Sequence, residues 1–231
     1  MPAYFPIPSL HPAGRPIIIV AVAVTLGLVM IAPLAGVIGL AFTLYVAYFF
    51  RDPDRFIPQR DGLLVSPADG RVIEIAAVTP PPELELGDHK RIRIGIFLSI
   101  FDVHVNRMAA AGRIRKKVYH PGKFLHAAAD KASADNERLA LTVDMDGGTG
   151  RNYAQVQIAG FIARRIICDA DETQMATTGQ RYGIIRFGSR VDIYLPVGIA
   201  PLVVAGQIMT GGETVLADCE ADEPARQGVR Q

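Results

Sequence analysis

The chain has 231 residues, half of them hydrophobic and a fifth charged, which is enough for one good-sized core plus an appendage and excludes a disordered polyelectrolyte. Its 24 basic and 23 acidic residues nearly cancel, so no global field favours nucleic acid as a partner. The two cysteines, Cys168 and Cys219, make neither a disulfide framework nor a metal-ligand pattern; they read as small buried hydrophobes of a reducing compartment, with no metal expected.

The first segment is apolar. From Pro16 to Phe50 there is no charged residue. A single helix over that run would be about 50 Å long against a hydrocarbon core of about 30 Å, whereas two arms broken near Pro33 would each be about 25 Å. Pro33, followed by Gly36 and Gly39, favours the break. The segment is either one tilted span or a shallow helical hairpin. It is too long for a signal peptide, and no persuasive cleavage site precedes Arg51-Asp52-Pro53. A buried pair of core helices is the competing reading. Arg15 before the run, and Arg51 and Arg55 after it, suit a hairpin with both ends cytoplasmic. We therefore divide the chain into a membrane-associating segment, residues 1–50, and a second domain, residues 51–231.

After Arg51 the pattern becomes short β-type runs separated by turn signals. Residues 63–65, 71–75, 91–98, 112–118, 139–143, 153–160, 183–187, 191–195 and 201–204 show alternation or β-branched enrichment. Many short strands at regular spacing predict an antiparallel sandwich or barrel. Short turns or helices are expected in 122–134 and 169–174, a surface loop at Pro80-Pro81-Pro82, and fraying over 221–231. The glycine-punctuated stretch 203–217 and the block Ser66-Pro67-Ala68-Asp69-Gly70 look similar to halves of a biotinyl or lipoyl carrier domain. No lysine stands at the tip near Met209 and Thr210, so the likeness concerns β-architecture alone. The expected class is α+β: a predominantly antiparallel sandwich or barrel of biotinyl/lipoyl-like hybrid architecture with apolar N-terminal helices.

The tetrad Phe187-Gly188-Ser189-Arg190 carries the chemistry. Glycine permits strained backbone and leaves its carbonyl unshielded. The hydroxyl of the next serine can attack that carbonyl and turn the amide into an ester. Elimination then leaves dehydroalanine, and hydrolysis a chain that begins with a pyruvoyl group. Gly-Ser alone is an ordinary turn in most proteins.

Its company is more specific. In order along the chain come Phe49-Phe50-Arg51-Asp52-Pro53-Asp54-Arg55, Val65-Ser66-Pro67-Ala68-Asp69-Gly70-Arg71-Val72, Phe101-Asp102-Val103-His104-Val105-Asn106-Arg107, Tyr119-His120-Pro121-Gly122-Lys123-Phe124, Asn136-Glu137-Arg138 and the Gly-Ser segment. These six blocks resemble the phosphatidylserine decarboxylase family, in particular its short bacterial branch. The resemblance implies self-cleavage between Gly188 and Ser189 into chains 1–188 and 189–231, a pyruvoyl cofactor made from Ser189, and decarboxylation of phosphatidylserine to phosphatidylethanolamine through a Schiff base. It implies a phospholipid substrate and association of the two cut chains, with a homo-oligomer left open; the apolar run and its flanking arginines give the expected location, the cell membrane with the catalytic domain on the cytoplasmic side. The rivals are a decarboxylase of another seryl lipid, such as an ether-linked archaeal-type one, and a non-enzymatic membrane-tethered biotinyl-like module.

On the same resemblance His104 and Asp69 are the catalytic partners of Ser189. A histidine can take the serine proton and return it to the leaving nitrogen or to substrate carbon, and a carboxylate can hold its tautomer. Without the resemblance His104 reads equally as a core histidine and Asp69 as a turn aspartate. The longer branch carries a second histidine three residues after the first, where this chain has Arg107; His104 then serves both steps, or His120 or His126 substitutes. Arg190 stands where many members have threonine. Arg186, Arg190, Lys116 and Lys117 can bind a lipid phosphate or an anionic surface, against the plainer reading of solvated charges.

Overall fold

A computed structural model describes residues 8–122, 136–146, 150–160, 165–186 and 188–229. The chain forms two compact units whose boundary falls between Asp54 and Arg55.

The first unit is a helical hairpin. Helix α1 (Arg15–Ile31) and helix α2 (Pro33–Phe49) are separated by Ala32, which is extended at φ −156° and ψ 130°. Proline disfavours helical backbone in the residue before it and suits the first helical position itself, so Pro33 both breaks the apolar run and starts the second arm. Gly36 and Gly39 let the arms touch: a Cβ on Gly36 would lie 2.4 Å from Val29 Cγ2. The hydroxyls of Thr25 and Thr43 meet at 2.9 Å between the arms. Strand β1 (Ser9–Leu10) pairs with β2 (Arg51–Asp52) and ties the hairpin ends together. Of the two arrangements expected for this run, the broken one is found.

The second unit is β. Its strands are β3 (Leu63–Val65), β4 (Gly70–Val78), β5 (Arg91–Leu98), β6 (Val105–Arg107), β7 (Gly112–His120), β8 (Arg138–Met145), β9 (Asn152–Ala159), β10 (Ile166–Cys168), β11 (Met175–Ala176), β12 (Arg181–Ile185), β13 (Ser189–Tyr194), β14 (Ile208–Met209) and β15 (Val215–Asp218). Eight of them form one antiparallel sheet in the order β11-β7-β8-β9-β13-β5-β4-β14. A second sheet has the order β10-β12-β6, and β15 pairs with β3. With the two N-terminal helices this is an α+β protein of mostly antiparallel sheet. One local expectation fails. Residues 201–204 form no strand, and Leu202 N–H instead reaches Leu216 O at 2.7 Å. Residues 169–174 make a turn, one of the two forms expected there, with Thr173 at φ +67°. The turn expected over 122–134 lies, from residue 123, outside the described residues.

Strand β13 shows why the large sheet is buried on both faces. It pairs with β5 and β9 in unbroken register, Ser189 opposite Leu98 and Ala159 and Val191 opposite Ile96 and Gln157. Alternation puts Ser189, Val191 and Ile193 on one face with Ile94, Ile96, Leu98, Tyr153 and Ala159, in the main core. The intervening Arg190, Asp192 and Tyr194 face the other way, where Tyr194, Val156 and Ile158 pack under Leu84 and Leu86.

Candidate active site

The chain changes sheets at the Gly-Ser bond. Strand β12 ends at Ile185 in the small sheet and β13 opens at Ser189 in the large one. Gly188 makes the transition at φ +62°, a left-handed conformation that other residues take at a cost. Among the described residues a Cβ there would meet nothing within 4 Å, so the dihedral demands the glycine. The Gly188 carbonyl accepts a hydrogen bond from Gly160 N–H at 3.1 Å. Ser189 is wholly buried, and its Oγ has no hydrogen-bond partner among the described residues. Phe187, the first residue of the tetrad, lies outside them.

His104 precedes β6 and is also wholly buried. Its Nδ1 lies 2.9 Å from the backbone carbonyl of Asp102. A carbonyl only accepts, so Nδ1 carries the proton, and in the neutral ring Nε2 presents the lone pair. The Asp102 loop is itself fixed, because its carboxylate accepts Ser99 N–H at 2.7 Å. The His104 carbonyl accepts Ile185 N–H at 3.3 Å, just ahead of the Gly-Ser bond. The next layer of the site is polar as well: Gln157 Nε2 donates to Asn106 Oδ1 at 2.8 Å, with both residues wholly buried. Gln157 shares a face with Ser189, so this bond holds β6 against the Ser189 side of the large sheet. Asn106 lies in the same sequence block as His104, and the one sequence signal of Gln157 is a polar residue at an inward position of a strand.

Asp69 sits in a loop beside β6, where Pro67 O accepts Arg107 N–H at 2.9 Å. Its carboxylate accepts from Arg55 Nη2 at 2.8 Å and from Gly211 N–H at 2.7 Å. Arg107 is buried and donates from Nη1 to Gly179 O at 3.1 Å, so this position is occupied by a cation bonded to a turn.

A family model described as phosphatidylserine decarboxylase matches residues 42–217. The chain belongs to the phosphatidylserine decarboxylase family. Several relatives bear the name phosphatidylserine decarboxylase proenzyme. The one from Granulibacter bethesdensis is 55% identical over 208 residues, covering 90% of this chain and 84% of its own length. That from Cereibacter sphaeroides is 50% identical over 223 residues, covering 96% and 95%. The Rickettsia felis relative is 55% identical over 183 residues, covering 79% and 78%.

Within this phosphatidylserine decarboxylase family member, several cations expected to meet lipid are committed elsewhere. Arg190 is 1% exposed and binds Asp192 Oδ1 at 2.5 Å and Glu74 Oε2 at 2.9 Å, which corrects its reading as a phosphate ligand or a surface charge. Arg93 joins the cluster through Glu74 Oε1 at 2.6 Å. Gly95 makes room for it, since a Cβ there would lie 2.7 Å from Arg190 Nη2. Burial pushes the Asp192 carboxyl up, opposed by the Arg190 guanidinium, while the two arginines hold Glu74 down against its own desolvation. Lys116 pairs with Glu85, and Lys117 with Ala170 O and Asp171. His120 lies on the wrong face to replace a second histidine. The register His120–Arg138–Ile158–Arg190 places it opposite the Ser189 face, and its Nε2 is 3.5 Å from Glu83. His126 lies outside the described residues. Arg186 differs from these cations: its buried Nε has no hydrogen-bond partner among the described residues, and burial, then the nearby Arg165, pulls its pKa down.

Proposed function

We propose that this chain cuts itself between Gly188 and Ser189, converts Ser189 into a pyruvoyl group, and decarboxylates phosphatidylserine to phosphatidylethanolamine. The observation that carries the proposal is the buried Ser189 hydroxyl, with no partner among the described residues, next to a left-handed glycine in a member of this family. Ser189 Oγ adds to the Gly188 carbonyl carbon as His104 Nε2 takes its proton. The peptide C–N bond then breaks and the nitrogen of residue 189 is protonated, leaving an ester. Loss of the Cα proton expels the Gly188 carboxylate and leaves dehydroalanine. Water replaces the nitrogen, which departs as ammonia.

The site fits the product of these steps. Residues 190–194 are paired with β5 on one side and β9 on the other, and these pairings do not involve the cut bond, so chains 1–188 and 189–231 remain one body. The pyruvoyl group supplies a ketone that captures the substrate amine and accepts the electron pair left by carbon dioxide. His104 donates the proton that completes the substrate carbon, and Asp69 steadies the loop beside β6 through Arg55 and Gly211. Leu98 and Ala159 keep stabilising charge away from the departing carboxylate. Arg186 and Arg165 suit the phosphodiester of the head group.

The apolar hairpin is the reading's membrane element. Pro12–Ile31 is long and apolar enough to cross a bilayer, and Met30, Ile31 and Leu34 at its turn are over 70% exposed. We place the protein at the cell membrane with the second unit cytoplasmic, on the flanking arginines Arg15, Arg51 and Arg55. The bonds Ser66 N–H to Thr214 O at 2.8 Å and Gly212 N–H to Ser66 O at 2.7 Å support a biotinyl-like pairing of the block 66–70 with the glycine-punctuated stretch 203–217. The test is to incubate purified protein with phosphatidylserine vesicles in detergent. Phosphatidylethanolamine and carbon dioxide should form with the wild type and not with Ser189→Ala.

A further inference from the structure

Two of the sequence blocks, His120-Pro121-Gly122 and Asn136-Glu137-Arg138, take no part in the reaction as described, yet they converge on the residue opposite Ser189. A Cβ on Gly122 would come within 2.2 Å of the Asn136 carbonyl carbon, so the glycine admits Asn136 at close range. Asn136 is wholly buried and its Nδ2 donates to the Ala159 carbonyl at 2.7 Å. Glu137 O accepts Ala159 N–H at 2.9 Å, which grips the same residue from its other side. The peptide that begins with the Ala159 carbonyl ends in Gly160 N–H, the group that donates to Gly188 O at 3.1 Å.

We infer that Gly160 N–H is the oxyanion donor of the self-cleavage and that Asn136, acting through the Ala159–Gly160 peptide, positions and polarises it. The inference rests on the proposed attack of Ser189 on Gly188. As Oγ adds to the carbonyl carbon, negative charge gathers on Gly188 O, where this N–H already points. A donor held in place before the charge develops needs no reorganisation when it does. A hydrogen bond to one end of a peptide strengthens the donor at its other end, so Asn136 makes Gly160 N–H a better donor without adding a charge. The plain alternative is that both bonds merely close the end of the β9–β13 ladder.

Cleavage kinetics separate the two. Full-length precursor is made in a cell-free system with detergent and followed by intact mass, with hydroxylamine added to trap ester. Asn136→Asp keeps the shape and replaces the donor by an acceptor; folded by circular dichroism, it should cleave at least about tenfold slower and give less trapped hydroxamate at Gly188. Glycolate in place of Gly160, which removes only the N–H, should slow cleavage about 10²-fold. In that background Asn136→Asp should add less than about threefold, because the relay is already cut. Thr142→Val loses another buried side-chain bond, from Thr142 Oγ1 to Leu84 O, and should cleave like the wild type. Wild-type cleavage in folded Asn136→Asp would overturn the relay, as would equal slowing in Thr142→Val. Should Asn136→Asp fail to fold, the glycolate variant decides alone: wild-type cleavage there removes Gly160 from the mechanism. If the unmodified chain itself never cuts at Gly188–Ser189, the failure belongs to the processing reading.

Discussion

A buried hydroxyl without a hydrogen bond costs about 1–3 kcal/mol, and Ser189, at the first residue of a central strand, is fully buried with no partner for its Oγ among the described residues. Ser189→Ala should remain one chain and be inactive, as denaturing electrophoresis and a phosphatidylethanolamine assay would show; fragments from that variant would place the cut elsewhere. His104→Gln keeps an amide able to donate to Asp102 O but loses the proton acceptor. General-base contributions are commonly about 10²–10⁴-fold, and cleavage should slow by that order in a pulse–chase. Normal turnover in a processed His104→Ala protein would remove His104 from the reaction. For Arg186, replacement by Gln should raise KM for lipid severalfold with little change in kcat, measured at fixed detergent; a fall in kcat alone would contradict phosphate binding. The longer branch's second histidine has no counterpart in the described residues near Ser189: Arg107 is bonded to a turn and His120 faces the other side of the sheet.

Strand β13 joins chemistry to stability. Its inward residues carry Ser189 into the core, while its outward Arg190 and Asp192 form a buried cluster with Glu74 and Arg93. Breaking a buried pair by removing one partner typically costs about 3–5 kcal/mol, whereas replacing both by apolar groups is often neutral. Arg190→Met should therefore lower the thermal midpoint strongly, and Arg190→Met with Asp192→Leu should recover much of the loss; equal midpoints for the single variant and the wild type would show the cluster to be energetically idle. Gly95→Ala should cost about 1–3 kcal/mol by crowding Arg190. The strands were legible where apolar and polar residues alternate, as in residues 71–75 and 112–118. Pro201-Leu202-Val203-Val204 misled, because this apolar run satisfies its backbone through scattered bonds to Leu216, Gln207 and Arg226 and needs no ladder. β6 and β10 were not foreseen; three residues in a small sheet are too few for periodicity to show. The role of Arg190 was hidden for a related reason: its partner Glu74, which it shares with Arg93, is distant in sequence and meets it only across β4, β5 and β13.

Over the whole molecule, the boundary at Asp54–Arg55 separates an apolar hairpin from a unit that holds Asp69, His104, Gly188 and Ser189. Burial of apolar surface at about 25 cal/mol per Å² gives two helical arms far more membrane affinity than one acyl chain. Removal of residues 1–48 should yield a more soluble protein that still cuts itself and prefers detergent-dispersed substrate to bilayers, as sedimentation with liposomes and parallel assays would show. A truncated protein that neither folds nor cuts would assign the hairpin to the core. The central claim, that the chain makes its own reactive group at Ser189, is tested most directly by the intact mass of the purified full-length protein together with Edman degradation of its smaller fragment. The account predicts a fragment ending at Gly188 and a partner of residues 189–231 that resists Edman degradation because its first residue has no amine. A single uncleaved chain in fully active protein would contradict it.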